Sequence, residues 1–343
     1  MRVLFVGMGS IGQRHLRNLK RLTTGDVEIL AYRRTRHNLC IEEGGGREVD
    51  SLADHLGFTE MRDLHEALDA RPQLVFVTNP SSDHLGAAIQ AARRGCHLFI
   101  EKPLADSLAG VDELRRLVAE RNLTVMIGYQ TRFHPCYQLT RDIVSTSEHG
   151  RVISAAFEWG TYLPAHHPYE DYRDSYAARR DCGGGVLLGL IHELDMIQSF
   201  WGQPEKVAAV GGKLSTLDVD VEDTVSALMT YDDNGRRFPV TLSLSYAQTR
   251  EVRRFRVQFE RATLLCDLHE NRFSLFDEHG ECAQQESFSR LNRNQLFLDE
   301  MSEFLSAVRE RRTPTVSLED GIESLRIVER IKQQLCEPCY AAI

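Results

Sequence analysis

The sequence predicts an α/β Rossmann domain followed by an α+β domain built on a largely antiparallel open sheet. Three features carry this expectation. Short β-branched runs alternate with amphipathic helical stretches over the first 127 residues; a glycine-rich turn follows the first run directly; and beyond Gly128 apolar residues alternate with period two between turn signals. A chain of 343 residues, 42% hydrophobic and 27% charged, is long enough for two cores. The boundary is drawn as 1–127 and 128–343.

Arg2–Val6 is the first expected strand. Val27–Tyr32, Leu74–Thr78, His97–Ile100 and Thr124–Ile127 extend it into a parallel sheet covered by helices. Ser81–Arg94 reads as a helix with a serine cap and Gly95 at its end, and Asp106 as the cap of a helix to about Arg121. After Gly128 come a helix from Pro135 to Ser147, a strand Arg151–Thr161, a polar aromatic loop and a helix Gly184–Phe200. Alternation from Lys206 to Phe276 predicts an antiparallel sheet, with Asp233-Asn234-Gly235 its clearest hairpin turn. Helices Asn294–Arg311 and Leu318–Gln334 close the chain, the last expected to pack back on the first domain.

The formal charge of −9 arises from 50 acidic against 41 basic residues with no basic block, which argues against a nucleic-acid partner. Neither a signal peptide nor a membrane span can be fitted, so the expected location is cytoplasmic and the eight cysteines are read as reduced thiols. Cys336 and Cys339 form a lone CxxC without a second pair, and His166-His167 are expected to face apart on a strand; no metal site is expected.

Gly7-Met8-Gly9-Ser10-Ile11-Gly12 after an apolar strand and before a helix is the setting of a dinucleotide site. Gly7 permits the tight turn, Gly9 leaves room for pyrophosphate, Gly12 lets helix pack on strand, and the helix start presents N–H groups. Where an NAD-preferring site places an acidic residue after the second strand, this chain has Arg33 and Arg34, which suit a 2′-phosphate; NADP is favoured over NAD. Lys102, at the carboxyl end of a central strand, is positioned to reach the nicotinamide side.

These motifs, with TNPSSDH at 78–84, EKPL at 101–104, GYQTRFHP at 128–135, GGGVLLGLIHELD at 183–195 and TPTVSLEDGIESLRIVERI at 313–331, resemble the Gfo/Idh/MocA oxidoreductases over nearly the whole chain. The resemblance implies NAD(P)-dependent hydride transfer on CH–OH groups, with Lys102 beside nicotinamide and substrate and His192 as acid or base. It implies further cofactor contacts at Ser10, Ile11, Thr78, Asn79, Pro80, His84, Glu101 and Gln130, a substrate contact at Arg132, and dimers or tetramers. Asp195, one turn beyond His192, reads as orienting the ring or touching substrate, or equally as a structural hydrogen bond. Many members carry an aspartate three or four residues before this histidine, where this chain has Leu188 and Gly189.

The loop at 159–173, with Tyr162, Tyr172, Arg173 and two histidines, suits a polyhydroxylated substrate, and its HPYEDYRDSYAARR stretch resembles the surface-sugar branch of the family. A sugar, amino-sugar or nucleotide-sugar-like substrate is therefore expected. The alternative is a catalytically inactive dinucleotide-binding sensor of the same fold, which the missing aspartate keeps open.

Overall fold

A computed structural model describes residues 1–336, apart from Arg36, Glu43, Gly44, Ser147, Asn234 and the side chain of Cys336. The CxxC pair, the last residue of the expected Pro135–Ser147 helix and the centre of the expected hairpin turn therefore lie outside the described residues.

The first sheet begins with β1 (Arg2–Val6), whose side chains are almost wholly buried, as expected of a strand covered on both faces. It is followed by α1 (Ser10–Leu22), β2 (Glu28–Tyr32), β3 (Leu39–Glu42), β4 (Gly45–Glu48), α2 (Leu52–Leu56), β5 (Thr59–Met61), α3 (Leu64–Asp69), β6 (Leu74–Val77), α4 (Ser81–Arg93), β7 (His97–Glu101), α5 (Val111–Arg121) and β8 (Val125–Gly128). Six strands form one parallel sheet in the order β5-β2-β1-β6-β7-β8. The chain leaves β1 toward β2 on one side and returns as β6 on the other, so a crevice opens at the carboxyl ends of β1 and β6.

The helix starts correct two expectations. Pro80, not a serine side chain, stands at the N-cap of α4, and α5 starts only after Gly110, which takes a positive φ; Asp106 caps nothing. The β3–β4 pair was invisible to period-two patterning because each strand is only four residues long and Cys40 and Ile41 are buried side by side. It is held by Gln13 of α1, whose Nε2 donates to the Leu39 carbonyl at 2.9 Å and whose Oε1 accepts from Ile41 N at 2.8 Å.

The second half runs α6 (Pro135–Val144), β9 (Val152–Tyr162), α7 (Val186–Gly189), α8 (His192–Trp201), then β10 (Lys206–Gly212), β11 (Thr224–Asp233), β12 (Arg236–Ser245), β13 (Ala247–Phe259), β14 (Ala262–Asp267), β15 (Arg272–Asp277) and β16 (Cys282–Ser287). The eight strands form one sheet, β10-β11-β12-β9-β13-β14-β15-β16, antiparallel except for the β12–β9 pair. Alternation of buried and exposed residues in β11 and β12 leaves one face on the core and the other open. The expected Gly184–Phe200 helix is broken at Leu190-Ile191, and both pieces are buried beneath the inner face.

The chain then returns. On α9 (Arg293–Glu310), Asn294 accepts from Arg14 and Asn18 of α1 at 3.0 and 3.2 Å. Before α10 (Leu318–Cys336), Ile127 N of β8 donates to the Val316 carbonyl at 3.2 Å, and Glu329 of α10 accepts from Leu108 N at 2.8 Å. Among the described residues, Cys40, Cys96, Cys136, Cys182, Cys266 and Cys282 are free thiols, and no helix is long and apolar enough to cross a membrane.

Candidate active site

The fingerprint turn lies at the carboxyl edge of the first sheet. Gly7 has φ +99°, and a Cβ on it would stand 2.7 Å from Asn79 N. A Cβ on Gly12 would press on the Thr78 hydroxyl at 2.9 Å, so α1 starts tight against the end of β6. Gly9 differs: nothing lies within 4 Å of a Cβ built there. With Ser10 and Ile11 half-buried, α1 begins with neither a side-chain cap nor an acidic residue in its first turn, which leaves its first N–H groups facing that open space. Thr78, Asn79 and Pro80 form the opposite wall. The Thr78 hydroxyl donates to the Gly7 carbonyl at 2.7 Å, and Asn79 Oδ1 is buried without a partner among the described residues. A donor-rich helix start, open space above Gly9 and an orphaned amide oxygen fit a dinucleotide.

Two of the expected cofactor contacts are occupied otherwise. Arg33 is buried, paired with Glu60 at 2.6 Å, and lies over the Phe58 ring, so its guanidinium is not presented to a ligand; Arg34 is, with 72% of its side chain exposed and only a 3.1 Å pair to Asp83. His84 is buried with both ring nitrogens against carbonyls, Pro103 at 2.7 Å and Asn79 at 2.8 Å. It is a strut between the walls of the crevice rather than a ligand contact.

Lys102 and His192, distant in sequence, are brought near one another, and the lysine charge bears on the imidazole. The break between α7 and α8 releases the Gly189 carbonyl, which accepts from Lys102 Nζ at 3.0 Å, one turn before His192. His192 is 2% exposed, with Tyr129 edge-on at 5.7 Å and Trp159 tilted at 6.2 Å, and its Nδ1 has no partner among the described residues. Burial first, then the charges of Lys102, Arg253 and Arg293, push its pKa well below the ordinary imidazole value, so the ring is neutral at pH 7. Gln130 is half-buried in the 3₁₀ turn after β8.

The position of the absent aspartate is filled. A Cβ on Gly189 would fall inside the hydroxyl of Tyr246, a buried residue that donates to the Gly185 carbonyl at 3.0 Å. No residue larger than glycine fits unless Tyr246 moves.

Sequence reasoning missed the surroundings. Arg253 lies over the Trp159 ring at 3.9 Å and pairs with buried Glu193 at 2.7 Å. His166 follows a 3₁₀ turn rather than lying on a strand; its Nε2 bonds the Thr161 hydroxyl at 2.8 Å, its ring stands edge-on to Tyr246 at 6.0 Å, and burial, His167, Lys102 and Arg293 hold its pKa down to about 4. Only the aromatic and histidine content of 159–173 signalled any of this.

Three expected substrate contacts, Arg132, Asp195 and Tyr172, are engaged elsewhere. Arg132 and Asp195 form a buried two-pronged pair, Nε–Oδ2 at 2.7 Å and Nη2–Oδ1 at 2.8 Å, with Asp320 a further 3.2 Å partner. The Tyr172 hydroxyl accepts from Asp218 N, and Arg173 pairs with its near neighbour Asp171 while 56% of its side chain stays exposed. Tyr162 is exposed, and by strand alternation it faces away from the Trp159 and Thr161 side of β9.

Glu101 turns from the cleft. Its Oε1 meets His15 at 2.6 Å inside a box of Phe76, Phe99 and Phe297, and its Oε2 accepts from Lys102 N, so it positions the lysine backbone. Beside it Glu300 is fully buried with neither oxygen partnered among the described residues, and burial plus the Glu101 charge hold its carboxyl well above the usual range. A proton bound in the fold but lost on unfolding makes stability greatest at low pH and erodes it as pH rises above about 4.5. Glu300→Gln is expected to flatten that slope and to raise stability at pH 8 by about 1–3 kcal/mol. Parallel pH–denaturation curves for the two proteins would refute this.

Comparison with known proteins identifies the family. The model of the oxidoreductase family with an NAD-binding Rossmann fold matches residues 1–129, and that of the GFO/IDH/MocA C-terminal domain matches 137–265. Myo-inositol 2-dehydrogenase of Thermotoga maritima is 26% identical, covering 98% of this chain and 97% of its own. D-xylose 1-dehydrogenase (NADP(+)) 2 of Haloferax volcanii is 25% identical, covering 82% and 85%. Among solved structures, UDP-N-acetylglucosamine 3-dehydrogenase from Acidithiobacillus ferrooxidans superposes with a TM-score of 0.75 at 21% identity, covering 98% and 97%.

Proposed function

Because the chain belongs to the GFO/IDH/MocA oxidoreductases, we propose that it moves a hydride between NAD(P) and a carbinol carbon of a sugar, amino-sugar or nucleotide-sugar-like substrate. The nearness of the Lys102 ammonium, held on the Gly189 carbonyl, to a neutral, buried His192 beside a dinucleotide-shaped turn carries this reading. Bound nicotinamide supplies the hydride acceptor or donor. His192 takes the hydroxyl proton as the alcohol is oxidised and returns it in the reverse direction, and Lys102 steadies the charge growing on that oxygen. Trp159, backed by Arg253, offers a flat wall for a sugar ring. Nicotinamide absorbance followed across a panel of sugars and nucleotide sugars tests the reading, and turnover of none, with cofactor bound, would favour a sensor.

Gly9→Ala is expected to leave the melting temperature of the cofactor-free protein unchanged, since nothing lies within 4 Å of the added carbon. It should weaken NAD(P)H binding by about 10-fold or more by filling the pyrophosphate cradle. Unchanged affinity in a fluorescence titration would remove the turn from the site.

The 2′-phosphate preference rests on Arg34 rather than Arg33. An exposed pair with Asp83 costs little to exchange for a phosphate. NADPH should bind about 10-fold more tightly than NADH, and Arg34→Ala should abolish the difference. Equal wild-type affinities would overturn it. Self-association is assigned to the open face of the large sheet, where Val210, Leu228 and Leu265 are exposed.

A further inference from the structure

Three side chains from distant parts of the chain converge beside the Lys102 backbone. His15 of α1, Glu101 at the end of β7 and Glu300 of α9 each bring one ligand atom, and these atoms all lie within 4.8 Å of one another. All three residues are buried, with Phe76, Phe99 and Phe297 around the imidazole. His15 Nε2 and Glu101 Oε1 stand 2.6 Å apart, and Glu101 Oε2 accepts from Lys102 N at 3.2 Å.

Glu300 is the unsatisfied member. It is 0% exposed, and neither of its carboxylate oxygens has a partner among the described residues. The charge that bears on it is that of another carboxylate, Glu101. A bound proton cancels the Glu300 charge but leaves an O–H with no acceptor among the described residues, so both oxygens stay unsatisfied in an apolar surrounding. A divalent cation answers both needs: it bonds the oxygens, and its two positive charges match the two carboxylates. The separations suit it, since the ligand atoms of a tetrahedral zinc ion stand roughly 3.3 Å apart. One imidazole nitrogen with carboxylate oxygens in a dry site selects zinc over magnesium, which keeps several waters.

We propose that His15, Glu101 and Glu300 form a structural zinc site, with Glu300 closing the shell through both oxygens. The ion ties α9 to α1 and to the strand end that carries Lys102. Binding releases the Glu300 proton to solvent and exchanges the His15–Glu101 hydrogen bond for two metal bonds. The pH slope predicted for Glu300 belongs to the chain stripped of metal, where the proton takes this place. Local spacing does not announce such a site, because its ligands come from three separate segments.

The test uses the full chain, stripped with a chelator and titrated with zinc by calorimetry. One zinc per chain should bind with a Kd of about 1 µM or tighter. Zinc at 100-fold above that Kd should raise the melting temperature by roughly 3–5 °C. X-ray absorption at the zinc edge should show one imidazole and oxygens, with no sulfur.

Glu300→Gln keeps the shape of the side chain and removes a ligand, so it should weaken zinc by more than the about 100-fold that losing an outer-shell partner costs. His15→Ala should do the same, with NADPH fluorescence reporting that each variant is folded. His55→Ala, at the more exposed Cys40, Glu42 and His55 cluster, should leave zinc affinity unchanged. Where a variant fails to fold, the absorption spectrum of the unaltered chain still decides. Failure to bind one zinc per chain, a sulfur-containing shell, or full zinc affinity in folded Glu300→Gln overturns the proposal and leaves Glu300 to its proton.

Discussion

His192→Asn is expected to lower kcat/KM by about 10²- to 10⁴-fold while the Kd for NAD(P)H stays nearly unchanged. Asparagine keeps a polar side chain in a slot bounded by Tyr129 and Trp159, so the fold should tolerate it, but an amide cannot accept the alcohol's proton at neutral pH. Because burial and the neighbouring cations lower the imidazole pKa, the base-competent neutral ring persists on the acidic side of its ordinary 6.5. The acid limb of the oxidation profile should therefore fall below pH 6.5 in wild type and vanish in the variant. Full activity of His192→Asn on a verified substrate would pass the proton to another group, with His166, whose pKa the Lys102 charge also lowers, the first to test.

Arg132→Met should cost about 3–5 kcal/mol of stability, because it strands the Asp195 carboxylate at 0% exposure. The double variant Arg132→Met/Asp195→Leu should recover much of that loss, since two apolar groups need no partners. Denaturant titrations of the three proteins decide it. An Arg132→Met protein with wild-type stability and a raised KM would return this arginine to the substrate, where the sequence had suggested it.

That contrast shows what kind of information the sequence held. The Rossmann half was legible because its strands are near-continuous apolar runs and its turn has a glycine at each position that geometry demands: Gly7 for a positive φ, Gly9 for open space, Gly12 for contact with Thr78. The antiparallel sheet was legible from period two. Lys102 and His192 were legible through the family motifs, one at a strand end and one near a helix start. What stays illegible are the partners. Arg132, Asp195, Arg33 and His84 have the right chemistry for ligand contacts, but whether a guanidinium faces a cleft or a buried carboxylate depends on residues far along the chain. Glu60 lies 27 positions from Arg33, and Asp195 lies 63 from Arg132. Tyr246 fills the space beside Gly189 from another strand altogether, and no local pattern announces it.

The return of the chain after β16 has a mechanical meaning. The polypeptide joins the two halves at Gly128, and then α9 and α10 clasp the first half a second time through Asn294, Val316 and Glu329. A single linker would allow free tumbling, which these further attachments oppose. With Lys102 bonded across to the Gly189 carbonyl at 3.0 Å as well, these contacts hold the two halves in the register that sets Lys102 near His192. A protein shortened before α9 would lose that alignment, so neither half is a module that can be exchanged with another enzyme by splicing at residue 128 alone.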